Sequence, residues 1–147
     1  MRTDLLDSWQ RSLDEDAPNH FLINIQPQER ASIAEIFQAD GIPAPRFVPL
    51  VRARMSEIEG VSVKDRSYPV EDGEWMANRE QNLTWAAGLS SSNEIVAGEW
   101  WPADYAGTPL VSLEEEAAAE LGVELGDELK FLVAGQEIEA TIASFRK

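Results

Sequence analysis

The sequence predicts an α+β fold in which short strands outnumber helices. Two observations support this class. Apolar and polar side chains alternate in several short segments, as they do in strands that bury one face. One segment, residues 113–121, instead spaces its apolar residues as a helix does. At 147 residues the chain suits one compact domain, or one and a half, that buries roughly 70% of its unfolded surface.

The predicted helix at 113–121 has signals at both ends. Ser112 and Glu115 have the spacing of a capping box, so Ser112 is expected to cap the first turn. Gly122 supplies the left-handed residue that commonly ends a helix. A β-hairpin at 128–145 should follow, turning at Ala134-Gly135. The residues expected on its buried face are Leu129, Phe131, Val133, Ile138, Ala140 and Ile142.

In the amino-terminal part of the chain, the residue pattern predicts a helix, then a strand, then a second helix. Thr3–Leu13 has an amphipathic spacing, and an acidic linker at Asp14–Asn19 follows it. Phe21–Ile25 is expected to form a strand that buries Phe21, Ile23 and Ile25. A helix opening at Pro27 and ending at Gly41 should bury Ala31, Ile33, Ala34, Ile36 and Phe37. The proline-rich segment Ile42–Pro45 then predicts a domain boundary, giving domains 1–45 and 46–147.

The middle of the chain predicts strands joined by turns. Val51–Met55 alternates apolar residues with Arg52 and Arg54, and Glu59-Gly60 should turn it into Val61–Val63. The later expectations are one or two helical turns at 74–81, a strand at 82–85, a loop at 86–93 and a strand at 94–101.

Arg52 and Arg54 belong to a basic stretch in an acidic protein, together with Arg46, Lys64 and Arg66. Two interpretations stay open. The stretch marks a contact for an acidic partner, or its arginines pair with nearby carboxylates on an exposed strand, where each pair contributes little.

The net charge of the chain makes some classes of binding partner unfavourable. A formal charge of −15 disfavours nucleic acid and anionic lipid headgroups, since both need a cationic surface. The chain has no cysteine, so it has no disulfide and no thiolate site. No apolar run approaches the roughly 20 residues that span a bilayer, and no signal peptide opens the sequence.

Signals for catalysis are sparse, and we predict no enzymatic activity, no cofactor and no metal. His20 is the only histidine, and no Gly-x-Ser-x-Gly elbow accompanies it. The acidic run at Asp14 lacks the glycine that a calcium loop needs at its sixth position, which is Asn19. There is no Walker A sequence, so ATP hydrolysis cannot reside in this polypeptide. An acidic hydrolase using His20 or a carboxylate pair is kept as an alternative.

Tryptophans are the other candidate contact residues. If the segment around Trp100-Trp101 is extended, the two indoles point to opposite faces, one into the core and one outward. Trp85 and Trp75 would extend such a platform. Core packing is one interpretation, and a hydrophobic cleft for a lipid-like or peptide ligand, or a docking face, is the other. The candidate contact residues are therefore Trp85, Trp100, Trp101, Arg52 and Arg54.

Three segments, PNHFLINIQPQE, NLTWAAGLSSSNEIVAGEWW and VSLEEEAAAELGVELGDELKFLVAGQEIEATIASFRK, together resemble the extracytoplasmic domain of an FtsX-like ABC transporter permease of the MacB-type superfamily. The resemblance covers nearly the whole chain. It implies a membrane-proximal, porter-like βα element that carries an inserted β-rich subdomain with one helix and a carboxyl-terminal hairpin. It also implies a bacterial inner-membrane parent with this part on the periplasmic side, soluble as a fragment, with hydrophobic segments before Arg2 and beyond Lys147.

The resemblance implies a role as well. Permeases of this type are similar in working with a separate cytoplasmic ATPase whose cycle moves the outer domain. This domain would transmit motion and engage a periplasmic protein or lipid-like cargo for export, with no role for nucleic acid. A freestanding ligand-binding module with an aromatic groove is the first alternative, and the acidic hydrolase is the second.

Overall fold

A computed structural model describes residues 22–147 of the chain. The predicted helix at Thr3–Leu13, the acidic linker at Asp14–Asn19, His20 and Phe21 lie outside the described residues. The chain divides into two compact units, the first ending at Phe47 and the second formed by Val48–Lys147. The predicted domain boundary after Pro45 stays a prediction.

The first unit contains a 3-10 turn at Pro27–Glu29 that leads directly into helix α1, Arg30–Ala39. The backbone N–H of Gln26 donates to the Glu29 carboxylate at 2.8 Å, which satisfies one of the free donors at a helix start. Gly41, with φ 69°, follows the end of α1. The predicted helix is therefore present with its proline entry and glycine exit.

The predicted strand at Phe21–Ile25 is wrong for the residues described, because 22–25 form no strand. Asn24 has φ 61°, in the left-handed region that asparagine tolerates better than most residues, and this interrupts the extended run. Ile23, expected in the core, is 78% exposed. On α1, the predicted buried face is half-buried at Ile33, Ala34 and Phe37 and exposed at Ala31 and Ile36.

The second unit is built on a seven-stranded sheet. Its strands are β1 (Val51–Ile58), β2 (Val61–Ser62), β3 (Glu80–Leu83), β4 (Ile95–Gly98), β5 (Leu110–Glu114), β6 (Glu128–Val133) and β7 (Gln136–Arg146). β1 pairs with β2, β3 and β6, and β7 pairs with β6, β4 and β5. Every pairing is antiparallel except β5 with β7, which is parallel.

Two tight turns set the register of the sheet. Glu59 and Gly60 have φ of 51° and 71°, and Ala134 and Gly135 have φ of 48° and 84°. Two successive residues with positive φ are typical of the type I′ turns that close two-residue hairpins. Both predicted turns are confirmed, and with them the hairpin that β6 and β7 form. The prediction that Ile138 lies on its buried face is wrong, because that side chain is 42% exposed.

Two helices, α2 (Glu71–Asn78) and α3 (Glu115–Leu121), pack against each other and cover one face of the sheet. The fold is α+β with the sheet predominating, as predicted. The buried cluster between the layers consists of Ala53, Met55, Ile58, Val63, Ala77, Ala118, Leu121, Val123, Leu129, Phe131 and Ile142. Within residues 22–147, no helix combines the length and the apolar character needed to cross a membrane.

The start of α3 differs from the prediction. Ser112 lies in β5, paired in parallel with Ser144 of β7, and α3 begins only at Glu115 with no side-chain cap. The hydroxyl of Ser144, which is fully buried, donates to the Ser112 hydroxyl at 2.9 Å. The predicted capping box is wrong because the sheet uses the residue that the helix needed. Gly122, with φ 63°, ends α3 as predicted.

Boundaries in the middle of the chain also shift. α2 occupies Glu71–Asn78, earlier than the predicted 74–81, and β3 ends at Leu83 rather than at residue 85. β4 ends at Gly98 rather than at residue 101. Gly98 has φ 73°, and such a residue takes the chain out of the extended conformation.

Candidate functional site

Trp100 and Trp101 stack on each other, with ring centroids 3.9 Å apart and ring planes inclined by 27°. The prediction that they point to opposite faces is wrong, because β4 ends at Gly98 and the alternation of an extended strand does not reach them. Both are half-buried, so neither is the fully buried core residue that the extended geometry required. The pair instead forms one aromatic block.

Two hydrogen bonds hold this block on the loop that follows β3. The Trp101 indole N–H donates to the Ala86 carbonyl at 3.0 Å, and the Trp100 indole N–H donates to the Ala87 carbonyl at 3.3 Å. The preceding residue, Trp85, is 66% exposed. Residues 84–94 and 99–109 are therefore joined next to three tryptophans, and we call these two segments the aromatic loops.

The aromatic loops carry charge of one sign. Glu94, Glu99 and Asp104 are exposed on them. No lysine or arginine occurs anywhere between Arg79 and Lys130 in the sequence. Two cations from the end of β7 lie beside the first of these acids, since Ile95 pairs with Arg146, and Glu94 exchanges two backbone hydrogen bonds with Lys147. The loops themselves carry only acidic charge, which attracts cations.

Arg52 and Arg54 lie on the face of β1 that faces away from the core, and both are exposed. The Arg52 guanidinium approaches the Glu80 carboxylate at 3.6 Å, with side chains 75% and 46% exposed. This contact agrees with the second interpretation of the basic stretch, local pairing on an exposed strand. Such exposed ion pairs contribute little to the free energy of unfolding. In the part of the chain that the structure describes, no hydrogen bond, ion pair or cation–π contact joins these arginines to the tryptophans.

Arg66, another member of the basic stretch, has a structural partner. Its guanidinium donates to the Gly122 carbonyl at 3.0 Å, immediately after α3. A cation at this position also interacts favourably with the helix dipole. Sequence reasoning missed this contact because the two residues are 56 positions apart.

Trp75 lies on α2 and not on the aromatic loops, and its ring contacts a side chain of the same segment. It is 60% exposed, and the Arg79 guanidinium lies 4.7 Å from the centre of its ring. The spacing of four residues was a signal for this contact, because such residues are neighbours on a helix. Trp75 also borders an open depression of about 520 Å³ whose other lining residues are Lys64, Glu71, Glu74 and Asn78.

The phenol of Tyr68, a residue of the second unit, has a pKa above its usual value. Burial raises the pKa of its phenol, the Arg66 charge opposes that rise, and the Glu74 charge adds to it. The hydroxyl donates to the Val63 carbonyl at 2.7 Å. Both observations describe a neutral, hydrogen-bonded phenol that supports the core rather than an acid or base in a cleft.

Residues 22–147 contain no candidate metal-binding site, since no three acidic or histidine side chains lie close enough together there to hold an ion. His20, which with a carboxylate pair is one of the two candidates for the hydrolase alternative, lies outside the described residues. Among the described residues, the structure brings the two aromatic loops together through the Trp100 and Trp101 hydrogen bonds.

Comparison with known proteins bears on the whole chain. It is 41% identical over 149 residues to a protein of Escherichia coli (strain K12) described as the uncharacterized ABC transporter permease YbbP. The alignment takes in 100% of this chain and 17% of that relative. The chain matches a segment of an ABC transporter permease.

The predicted resemblance to an ABC permease is confirmed by this match. No family model matches the chain, and no solved structure does either. The chain spans about a sixth of the length of the relative that it matches.

Proposed function

We propose that this chain is the periplasmic domain of an FtsX-like ABC transporter permease, where it transmits motion and engages cargo or a partner. The observation that carries the proposal is identity of 41% across the entire chain to an ABC transporter permease of much greater length. An ABC permease requires a source of energy, and this sequence has no phosphate-binding loop. A separate ATPase on the cytoplasmic side supplies that energy in the proposal.

The sheet is suited to transmitting motion because its last strand, β7, pairs with three other strands. β7 pairs with β6 along residues 136–141 and with β4 and β5 along residues 141–146. Lys147 adds two backbone hydrogen bonds to Glu94 and a 3.0 Å ion pair with Glu115. A displacement of β7 therefore moves its partner strands with it, since packed elements shift as bodies rather than deform.

The aromatic loops supply the contact surface in this proposal. Trp85 is mostly exposed, and the stacked Trp100 and Trp101 are held in place by their own N–H groups. Exposed aromatic surface of this kind suits apolar cargo or a partner protein. The alternatives of a freestanding binding module and an acidic hydrolase have no observation within residues 22–147 that favours them over the permease.

Labelling of a single cysteine tests the location. The chain has no cysteine, and Gly88 has open space around the position of a side chain, so Gly88→Cys adds one reactive thiol without disturbing the fold. The variant is made in the full-length permease, with any cysteines elsewhere in that protein replaced. Treatment of intact cells with a membrane-impermeant maleimide should label it.

Two controls decide the outcome. A cysteine placed in a cytoplasmic segment of the same permease should react only after the inner membrane is opened, and Gly88→Cys in opened cells sets the full signal. If Gly88→Cys also reacts only after opening, this domain faces the cytoplasm and the proposal is wrong.

A further inference from the structure

The chemistry of the partner follows from the aromatic loops, and this inference rests on the proposed function because it names what the same surface takes. We propose that the aromatic loops bind a cationic, partly apolar peptide segment of a partner protein. The binding groups are the exposed indole of Trp85, the Trp100 and Trp101 stack, and the exposed carboxylates of Glu99 and Asp104 on the same loops.

The rings are oriented for a cation rather than for a hydrogen-bond acceptor. The indole N–H groups of Trp100 and Trp101 are already used by the Ala87 and Ala86 carbonyls. What these two residues have left to offer a ligand is the π surface of their rings, which attracts lysine and arginine side chains and their apolar stems. The contact between Arg79 and Trp75 shows the same pairing within this molecule.

Charge on the loops points to the same ligand. Glu99 and Asp104 are exposed, and the loops carry no basic side chain of their own, whereas Glu94 already has Lys147 as a neighbour. These carboxylates would attract the lysine or arginine side chains of such a segment to the loops. Complementary charge of this kind chooses the partner and speeds association.

Other occupants use less of this surface. An anionic lipid headgroup is repelled by a chain of net charge −15. A second copy of the chain would bring the same acidic loops against each other. A neutral lipid-like molecule would use the rings and leave the carboxylates without a role, which makes it the occupant that the experiment must separate from a peptide.

A titration of the complete 147-residue chain with a labelled synthetic peptide of alternating lysine and leucine tests the inference. Fluorescence anisotropy gives its Kd, which should rise as sodium chloride is added because salt screens the charges. Trp85→Ala should raise the Kd about threefold to fivefold, as expected for the loss of one exposed cation–π contact. Trp75→Ala, at a tryptophan of similar exposure outside the loops, should leave it unchanged.

Charge variants separate local recognition from general attraction. The pair Glu99→Gln with Asp104→Asn removes two charges from the aromatic loops, and the pair Glu124→Gln with Glu137→Gln removes two from exposed positions elsewhere. Only the first pair should weaken binding substantially. Equal weakening by both pairs, or equal binding of a glutamate–leucine peptide, would overturn the inference.

Neutral detergent micelles test whether the aromatic loops instead bind a neutral lipid-like molecule. Binding to micelles that depends on Trp85, with no Trp85-dependent binding of the lysine–leucine peptide, would assign the surface to lipid-like cargo and reject the peptide. Self-association that Trp85→Ala abolishes would assign it to a second copy. The maleimide experiment is independent of these titrations, so failure of the peptide inference and failure of the periplasmic location are distinguishable.

Discussion

Single residues decide where the contact surface of this molecule forms. Gly98 ends β4 with φ 73°, and its α-carbon faces the backbone of β7 so closely that an added side chain would lie 2.9 Å from the Ser144 α-carbon and closer still to the Ala143 carbonyl oxygen. Only glycine fits both the left-handed backbone and the missing space. The strand ends there, and Trp100 and Trp101 leave the sheet together.

Replacing Gly98 should be costly. Gly98→Ala adds a β-carbon that overlaps β7 and places a side chain on a left-handed backbone, so we expect a loss of about 2–4 kcal/mol in the free energy of unfolding. Urea denaturation followed by circular dichroism measures it.

Two glycines serve as matched controls for Gly98. Gly126→Ala has a positive φ of 94° but open space, so it should show the backbone strain without the overlap. Gly88→Ala has neither feature and should change the free energy of unfolding by no more than about 0.5 kcal/mol. Similar losses for Gly98→Ala and Gly126→Ala would mean that contact with β7 has no part in the effect.

The individual strands and helices differ in how well the sequence predicts them. The β6–β7 hairpin was predictable because its signals are local, namely an alternating pattern on each side of Ala134-Gly135. The start of α3 was not, since the local capping signal of Ser112 was overridden by pairing with β7, a strand about thirty residues further along. The parallel pairing of β5 likewise depends on a contact that no short pattern encodes.

An ion pair between β1 and β6 gives a prediction at this scale. The Lys130 ammonium lies 2.6 Å from the Glu57 carboxylate, with both side chains partly buried. The hydrogen bond to Glu57 raises the pKa of Lys130 above its usual 10.5, and partial burial opposes that rise. The folded state therefore holds this proton more tightly than the unfolded chain does.

The stability that this pair contributes should depend on pH. It is fully present below the usual lysine pKa of 10.5 and is lost as the pH rises through the raised value in the folded state. We expect Lys130→Met to lower the urea midpoint at neutral pH, and the difference from wild type to shrink at pH above 10.5. The exposed Lys64→Met is the control, and a difference that stays constant with pH would contradict the role of the charge.

The whole molecule is dominated by its negative charge, whose distribution in space no local sequence pattern predicts. The candidate site shows what could be predicted at this scale. Trp85, Trp100 and Trp101 were candidates from residue type alone, and the structure joins them through hydrogen bonds between residues 13 and 15 positions apart. Arg52 and Arg54 were candidates on the same grounds, and they lie on an exposed strand face with no contact to the tryptophans among the described residues.

Self-repulsion should make the stability of the chain depend on salt. With a net charge of −15, screening that shortens the Debye length from about 30 Å to about 3 Å should raise the Tm. Differential scanning calorimetry in about 0.01 M and about 1 M sodium chloride measures this change. The variant with Glu99→Gln and Asp104→Asn should show a smaller increase, and a Tm that falls with salt would contradict the argument.

The way β7 ends has a practical consequence for anyone shortening this protein. β4 is registered only against Ser144, Phe145 and Arg146, and Lys147 adds the backbone bonds to Glu94. A truncation that removes these four residues would leave β4 without its partner and detach the segment that carries the tryptophan stack. Fragments prepared for binding assays should therefore retain every residue through Lys147, because trimming there would remove the support of the aromatic loops while leaving the β1–β6 half of the sheet intact.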